Sequence, residues 1–141
     1  MALKVTKVDV WAGEMQDKPG ELGRMLGALA GAGASIDCVI GRRQPDKPGT
    51  GVVFVSPVKG KKAQAAAKAA GMAQASHVNT LRVEGSDKPG LGAKLASAIG
   101  DAGVNLRGVS AAVLGGKFVA YLGFDSPEAA SRAVKALKAV K

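Results

Sequence analysis

The tetrapeptide Asp17-Lys18-Pro19-Gly20 returns as Asp87-Lys88-Pro89-Gly90, 70 residues later. The same spacing carries Gly33 onto Gly103, Ile36 onto Leu106, Val39 onto Val109, Phe54 onto Phe124 and Ser56-Pro57 onto Ser126-Pro127. Landmarks in one ungapped register mark an internal duplication. A duplication constrains the fold more than any local pattern, because each copy must form one supersecondary unit. Units of about 60–70 residues are marginal on their own, so the copies are expected to share apolar faces or to dimerise.

Each copy reads the same way. Residues 4–12 alternate as a strand, and residues 20–32 place Leu22, Met25, Leu26 and Leu29 on one helical stripe. Gly33 stands where a left-handed cap would end that helix. Strands follow over 35–43 and 51–55, separated by the turn Gln44–Gly49, then a helix over 59–71 and a short strand near 73–77. The second copy reads strand 79–86, helix 90–102, strands 105–114 and 117–124, helix 126–139. The order β-α-β-β-α-β predicts an α+β, ferredoxin-like fold, in units 1–77 and 78–141. Lys141 corresponds to Gly71, so the second copy has no room for its last strand. A bare sheet edge is a liability; it is expected to be covered by a partner chain, by the N-terminal residues or by segment 72–78.

Composition narrows the function. At 47% hydrophobic residues the chain is globular, and it contains no apolar run of the ~18 residues a membrane span needs. The opening residues are charged and alternating, unlike a signal peptide, and Cys38 has no second cysteine for an internal disulfide. A cytoplasmic protein is expected. The net charge of +9 raises a nucleic-acid reading, but the lysines gather at Lys59, Lys61, Lys62 and at Lys135, Lys138, Lys141, on what read as solvated helix faces. No nucleophile elbow, phosphate loop or histidine-based metal motif is present. His77 and Cys38 stand alone, so no catalytic residue, metal or cofactor is expected.

The repeated turn has two uses. Its aspartate and proline can shape a helix start, and its glycine lets backbone approach a ligand beside the positive end of the helix dipole, a place suited to a carboxylate. Asp46-Lys-Pro-Gly49 falls between strands and reads as a hairpin turn. Gly23, Gly27 and Gly31, at four-residue spacing, suggest close approach of another element to the helix, either its own sheet or a second helix. Trp11 reads as a core residue.

Asp17-Lys-Pro-Gly-Glu-Leu22 with Ala32-Gly-Ala-Ser-Ile-Asp37, and Asp87-Lys-Pro-Gly-Leu91 with Ala102-Gly-Val-Asn-Leu106, resemble the ACT domain, here in tandem. The resemblance implies antiparallel sheets with helices on one face and a regulatory module that binds small molecules, usually amino acids, as in aspartokinase and phosphoglycerate dehydrogenase. It implies that units pair side by side, with an amino acid between the first loop of one and the second strand of its neighbour. The implied ligand residues are Asp17, Gly20, Glu21 and Leu22 with Asp87, Gly90 and Leu91 in the loops. From the facing strands come Ser35, Ile36 and Asp37 with Asn105, Leu106 and Arg107. In that setting loop N–H groups take a carboxylate, Asn105 donates and accepts, Asp37 pairs with an ammonium and Arg107 holds a second carboxylate. The copies depart from one another: Leu22 of the first corresponds to Gly92 in the second, and Asn105 of the second to Ser35 in the first. The site joining the first loop to Asn105 is favoured. The expected function is a free-standing, non-catalytic amino-acid sensor, as a homodimer, and the resemblance names no particular regulated enzyme. One alternative is an RNA-recognition fold, which Lys117–Phe124 resembles; alternation puts Tyr121 opposite Phe118 and Phe124, and Thr80–Glu84 has no aromatic for base stacking. The other is a ligand-free structural or oligomerisation module.

Overall fold

Alternating residues do not say which sheet a strand will join, and the first strand shows it. In the computed structural model, which describes residues 3–140, the run expected over 4–12 breaks at Asp9 and Val10 into β1 (Lys4–Val8) and β2 (Trp11–Gln16). The remaining elements are α1 (Glu21–Gly31), β3 (Cys38–Arg43), β4 (Thr50–Ser56), α2 (Lys61–Ala69), β5 (Met72–Gln74), β6 (Asn79–Ser86), α3 (Leu91–Asp101), β7 (Gly108–Leu114), β8 (Lys117–Phe124) and α4 (Pro127–Lys138). They form two four-stranded antiparallel sheets, ordered β3-β4-β2-β5 and β1-β6-β8-β7. Both are ferredoxin-like βαββαβ arrangements, with β1 standing in the second as the missing last strand. Lys4–Val8 pair with Glu84–Thr80, so the N-terminal residues cover the β6 edge, whereas segment 72–78 supplies β5 to the first sheet.

The chain therefore divides differently from the expected units 1–77 and 78–141. One compact unit is Asp9–Ser76; the other runs from His77 onward and includes the N-terminal residues up to Val8. Hydrogen-bond pairing, not chain order, assigns β1.

Each unit has its core between its sheet and its two helices. In the 9–76 unit Trp11, Val53 and Val55 meet Met25 and Leu29 of α1 and Ala63 and Ala67 of α2. In the other, Leu81, Val83, Ala120, Leu122 and Phe124 meet Leu95 and Ile99 of α3 and Ala130, Ala133 and Leu137 of α4. α1 and α3 end alike. Gly33 (φ 79°) and Gly103 (φ 74°) take the left-handed conformation. Their N–H groups donate to Ala30 O and Gly100 O, and those of Ala34 and Val104 to Leu29 O and Ile99 O. These bonds satisfy helix-end carbonyls as a Schellman motif does. α4 starts at Ser126, whose hydroxyl accepts from Ala129 N at 3.1 Å with Pro127 in the first turn.

The 70-residue register holds for the first strand, first helix and second strand of each unit and slips afterwards. The pairs Val39↔Val55 and Val109↔Leu122 show that β8 follows β4 at 67 residues. Phe54 thus corresponds to Tyr121, not Phe124, and Ser56-Pro57 ends a strand where Ser126-Pro127 starts a helix. The cause is the hairpin: residues 44–49 join β3 to β4, whereas Gly115-Gly116 alone join β7 to β8.

Candidate functional site

The two Asp-Lys-Pro-Gly turns have matched backbones. Each follows the first strand of its unit; Asp17 N donates to Gly49 O and Asp87 N to Gly116 O, tying the turn to the neighbouring hairpin. Gly20 (φ 90°) and Gly90 (φ 83°) are the N-caps of α1 and α3, both left-handed, and neither helix start receives a side-chain cap. The aspartates therefore do not cap these helices. Asp17 Oδ2 instead meets Arg43 Nε at 2.8 Å, from the far end of β3. The first N–H of each helix, Glu21 N and Leu91 N, turns back to Lys18 O and Lys88 O; without a side-chain cap the next ones are left to solvent or a ligand.

The first helical residue separates the copies. Glu21 lies half-buried and receives Arg24 Nε at 2.8 Å; that hydrogen bond holds its carboxyl below the ordinary range. Its counterpart Leu91 is buried in the core. Leu22 is 38% exposed and offers an apolar wall beside the first loop, where the second has Gly92. Nearby, Gln44 and Lys47 of the hairpin both donate to Glu14 Oε2, at 3.3 and 3.0 Å, and lower its pKa.

The strand-start residues lie elsewhere. Ser35 and Asp37 are exposed, with Ile36 partly buried against the core; Asn105 and Arg107 are exposed, with Leu106 likewise turned to the core. Asp37 N and Arg107 N donate to Ser56 O and Gly123 O, at 2.9 and 2.8 Å, and Arg107 Nη1 to Asp125 Oδ1 at 3.1 Å.

Within one unit these two sets cannot meet. β2 and β3 are each antiparallel to β4 and so run the same way. The Asp17 loop leaves the end of β2, whereas Ser35–Asp37 precede the start of β3. They occupy opposite ends of the sheet, about 20 Å apart for a six-residue strand. The same holds for the Asp87 loop and Asn105–Arg107. A site made of both sets needs two units.

Sequence reasoning missed Arg24, Arg43 and Asp125. Arg24 was readable as the i+3 partner of Glu21; Arg43 and Asp125 became partners only through strand register. Trp11 is buried in the core, as expected. A Cβ placed on Gly23, Gly27 or Gly31 would meet no atom within 4 Å, so tight packing on their own sheet does not explain them. Phe118 and Phe124 are buried beneath the helices, while Tyr121 lies on the opposite face with the Arg82 guanidinium 5.8 Å from its ring. Among the described residues no group of His, Cys, Asp and Glu could hold a metal, and no helix is long and apolar enough to cross a membrane.

The family model of the ACT domain matches residues 80–140. No curated protein sequence matches the chain. Among solved structures, the ligand-free regulatory subunit of aspartate kinase from Thermus thermophilus is similar over 97% of this chain and 95% of its own, with a TM-score of 0.67 and 17% identity. Protein BT0572 from Bacteroides thetaiotaomicron is similar over 95% of this chain and 88% of its own, with a TM-score of 0.78 and 14% identity. E. coli aspartokinase III, in complex with aspartate and ADP, matches 96% of this chain with 32% of its own, at a TM-score of 0.59 and 13% identity. These likenesses establish the fold, two ferredoxin-like units.

Proposed function

We propose that the chain is a free-standing regulatory protein of two ACT-like units that binds a small amino acid and catalyses nothing itself. The observation that carries this reading is the separation of the two residue sets within each unit. A loop with open N–H groups and a strand start with polar side chains make a complete site only where the loop of one unit meets the strand start of another. The ACT match over residues 80–140 and the regulatory subunit among the similar structures support it.

In the favoured site the loop Asp17 to Leu22 takes the carboxylate on the N–H groups of Gly20 and Leu22, beside the positive end of α1, those of Asp17, Lys18 and Glu21 being bonded to Gly49 O, Gln16 O and Lys18 O. Asn105, exposed three residues before β7, accepts from the ammonium and donates to the carboxylate. The other pairing, of the Asp87–Leu91 loop with Ser35–Asp37, has a serine hydroxyl in place of the amide. Arg107, already paired with Asp125, would receive a ligand's second carboxylate only by leaving that partner. The expected setting is the cytoplasm, and the expected assembly is a homodimer. The β7 edge favours association: Val109, Val113 and Leu114 are 54, 50 and 84% exposed, and Gly108–Leu114 carries no charged residue to discourage pairing.

A thermal-shift screen of the common amino acids tests the reading, because a ligand that binds only the native state raises the melting temperature. Calorimetric titration of the amino acid that shifts it, with Asn105→Ala and Ser35→Ala, then tests the assignment. A loss confined to Asn105→Ala supports the favoured site. Equal losses refute the asymmetry, and no shift by any amino acid refutes the sensor.

A further inference from the structure

Each sheet is completed by a strand that leads, along the chain, into the other sheet. β1 pairs with β6 and continues through Asp9 and Val10 into β2, the first strand of the 9–76 unit. β5 pairs with β2 and continues through residues 75–78 into β6, the first strand of the second unit. The first crossing is held by the 9–76 unit. Ser56 Oγ donates to Asp9 O at 2.8 Å and Ala75 N to Val10 O at 2.8 Å, both from within the 9–76 unit.

β1 is lightly anchored in the sheet it completes. None of its five residues is fully buried, and only Val5, with Leu3 just before it, packs against the core as a partly buried side chain. At the far ends of β2 and β6 stand the two Asp-Lys-Pro-Gly loops. A paired six-residue strand is stiff along its axis and spans about 20 Å, whereas an edge strand with few apolar contacts is an element that opens locally at low cost.

We propose that the two crossings are straps that couple the units. A shift of β2, set at the Asp17 loop, draws on Asp9-Val10 and changes the grip of β1 on β6; a shift of β6, set at the Asp87 loop, acts through residues 75–78 on β5 and β2. The inference rests on the sensor reading for what occupies the loops, and adds how occupancy of one site is felt in the other unit. Such coupling is reciprocal, since each site changes the affinity of the other by the same factor.

Hydrogen exchange on the full chain tests it. Gly13→Ala disturbs the middle of β2, where the new Cβ meets Met25 and Met72, while Leu29→Ala destabilises the same unit from α1. The expected result is exchange in Lys4–Val8 and Thr80–Glu84 faster by about tenfold in Gly13→Ala, measured against the β7–β8 ladder, and nearly unchanged in Leu29→Ala. An equal effect of both variants, or none of either, overturns the proposal. Should Gly13→Ala not fold, Ser56→Ala, which removes only the bond to Asp9 O, takes its place with the same two outcomes. The amino acids are then added one at a time. One that raises the melting temperature yet leaves exchange in β1 unchanged also overturns the coupling. If none raises it, the sensor reading fails, and the comparison of variants still decides the straps.

Discussion

Gly13 and Met25 share one volume: a Cβ built on Gly13 would stand 2.7 Å from Met25 Cε, with Met72 Cγ at 2.9 Å and Gly71 O at 3.0 Å. In the second unit the same two places hold Val83 and Leu95, both buried. Each core thus balances a small strand residue with a long helix residue, or the reverse. Gly13→Ala is expected to cost about 1–3 kcal/mol by overpacking, read as a lower urea midpoint. Adding Met25→Leu should recover part of that loss, a non-additivity characteristic of residues in contact.

Arg132 of α4 donates from Nη2 to the carbonyl of Ala102, the C-cap of α3. A cation at a helix C-terminus contributes about 0.3–1 kcal/mol. Arg132→Ala is expected to lower the melting temperature by that equivalent, and Arg132→Lys by less. A variant as stable as the parent chain would show the contact to be without net effect.

Glu84 gives stability a pH dependence. Lys117 Nζ lies 2.7 Å from its carboxylate and Arg82 Nε 3.4 Å, and the hydrogen bond from Lys117 holds its pKa below the ordinary 4.5. A carboxyl depressed in the folded state contributes stability above its unfolded pKa and loses it as pH falls through the folded value. Denaturation midpoints should therefore fall on acidification below pH about 4.5. In Lys117→Met the neutral-pH midpoint should drop and this part of the acid dependence should weaken.

Lysines on the β7 edge separate association from folding. Val109→Lys with Val113→Lys is expected to shift sedimentation toward the monomer and to change stability by no more than about 0.5 kcal/mol per site, as exposed substitutions do. Dimers that persist unchanged would place the contact elsewhere.

Much of this architecture was legible in the period and its punctuation. Gly33 and Gly103 marked helix ends because a left-handed turn tolerates glycine best, and the stripe of Met25 and Leu29 announced the buried face of α1. β1 was hidden, because its alternation runs on toward β2 and only the ladder to β6 separates them. Yet carrying β6 back by 70 residues gives 9–16, which already leaves residues 4–8 outside the strand that corresponds to β6. Phe54 and Phe124 misled for a related reason. An ungapped match hides a hairpin that is shorter in one copy, so Phe54 and Phe124 fall in line without sharing a place in the sheet. In the candidate site, the loop residues were readable from their motif. The placing of Asp17 beside Arg43, and of each loop and strand start at opposite ends of a sheet, follows from strand direction, which no local pattern records.

The order of strands also carries history. Cut before β1 and again before β5, the chain gives two segments, each a strand followed by βαββα. Neither segment holds the strand that completes its own sheet: β5 of the second pairs with β2, and β1 of the first pairs with β6. A gene encoding one such segment would yield a polypeptide whose sheet closes only on the leading strand of a second molecule. Joining two such genes end to end would turn an obligate pair into a single chain.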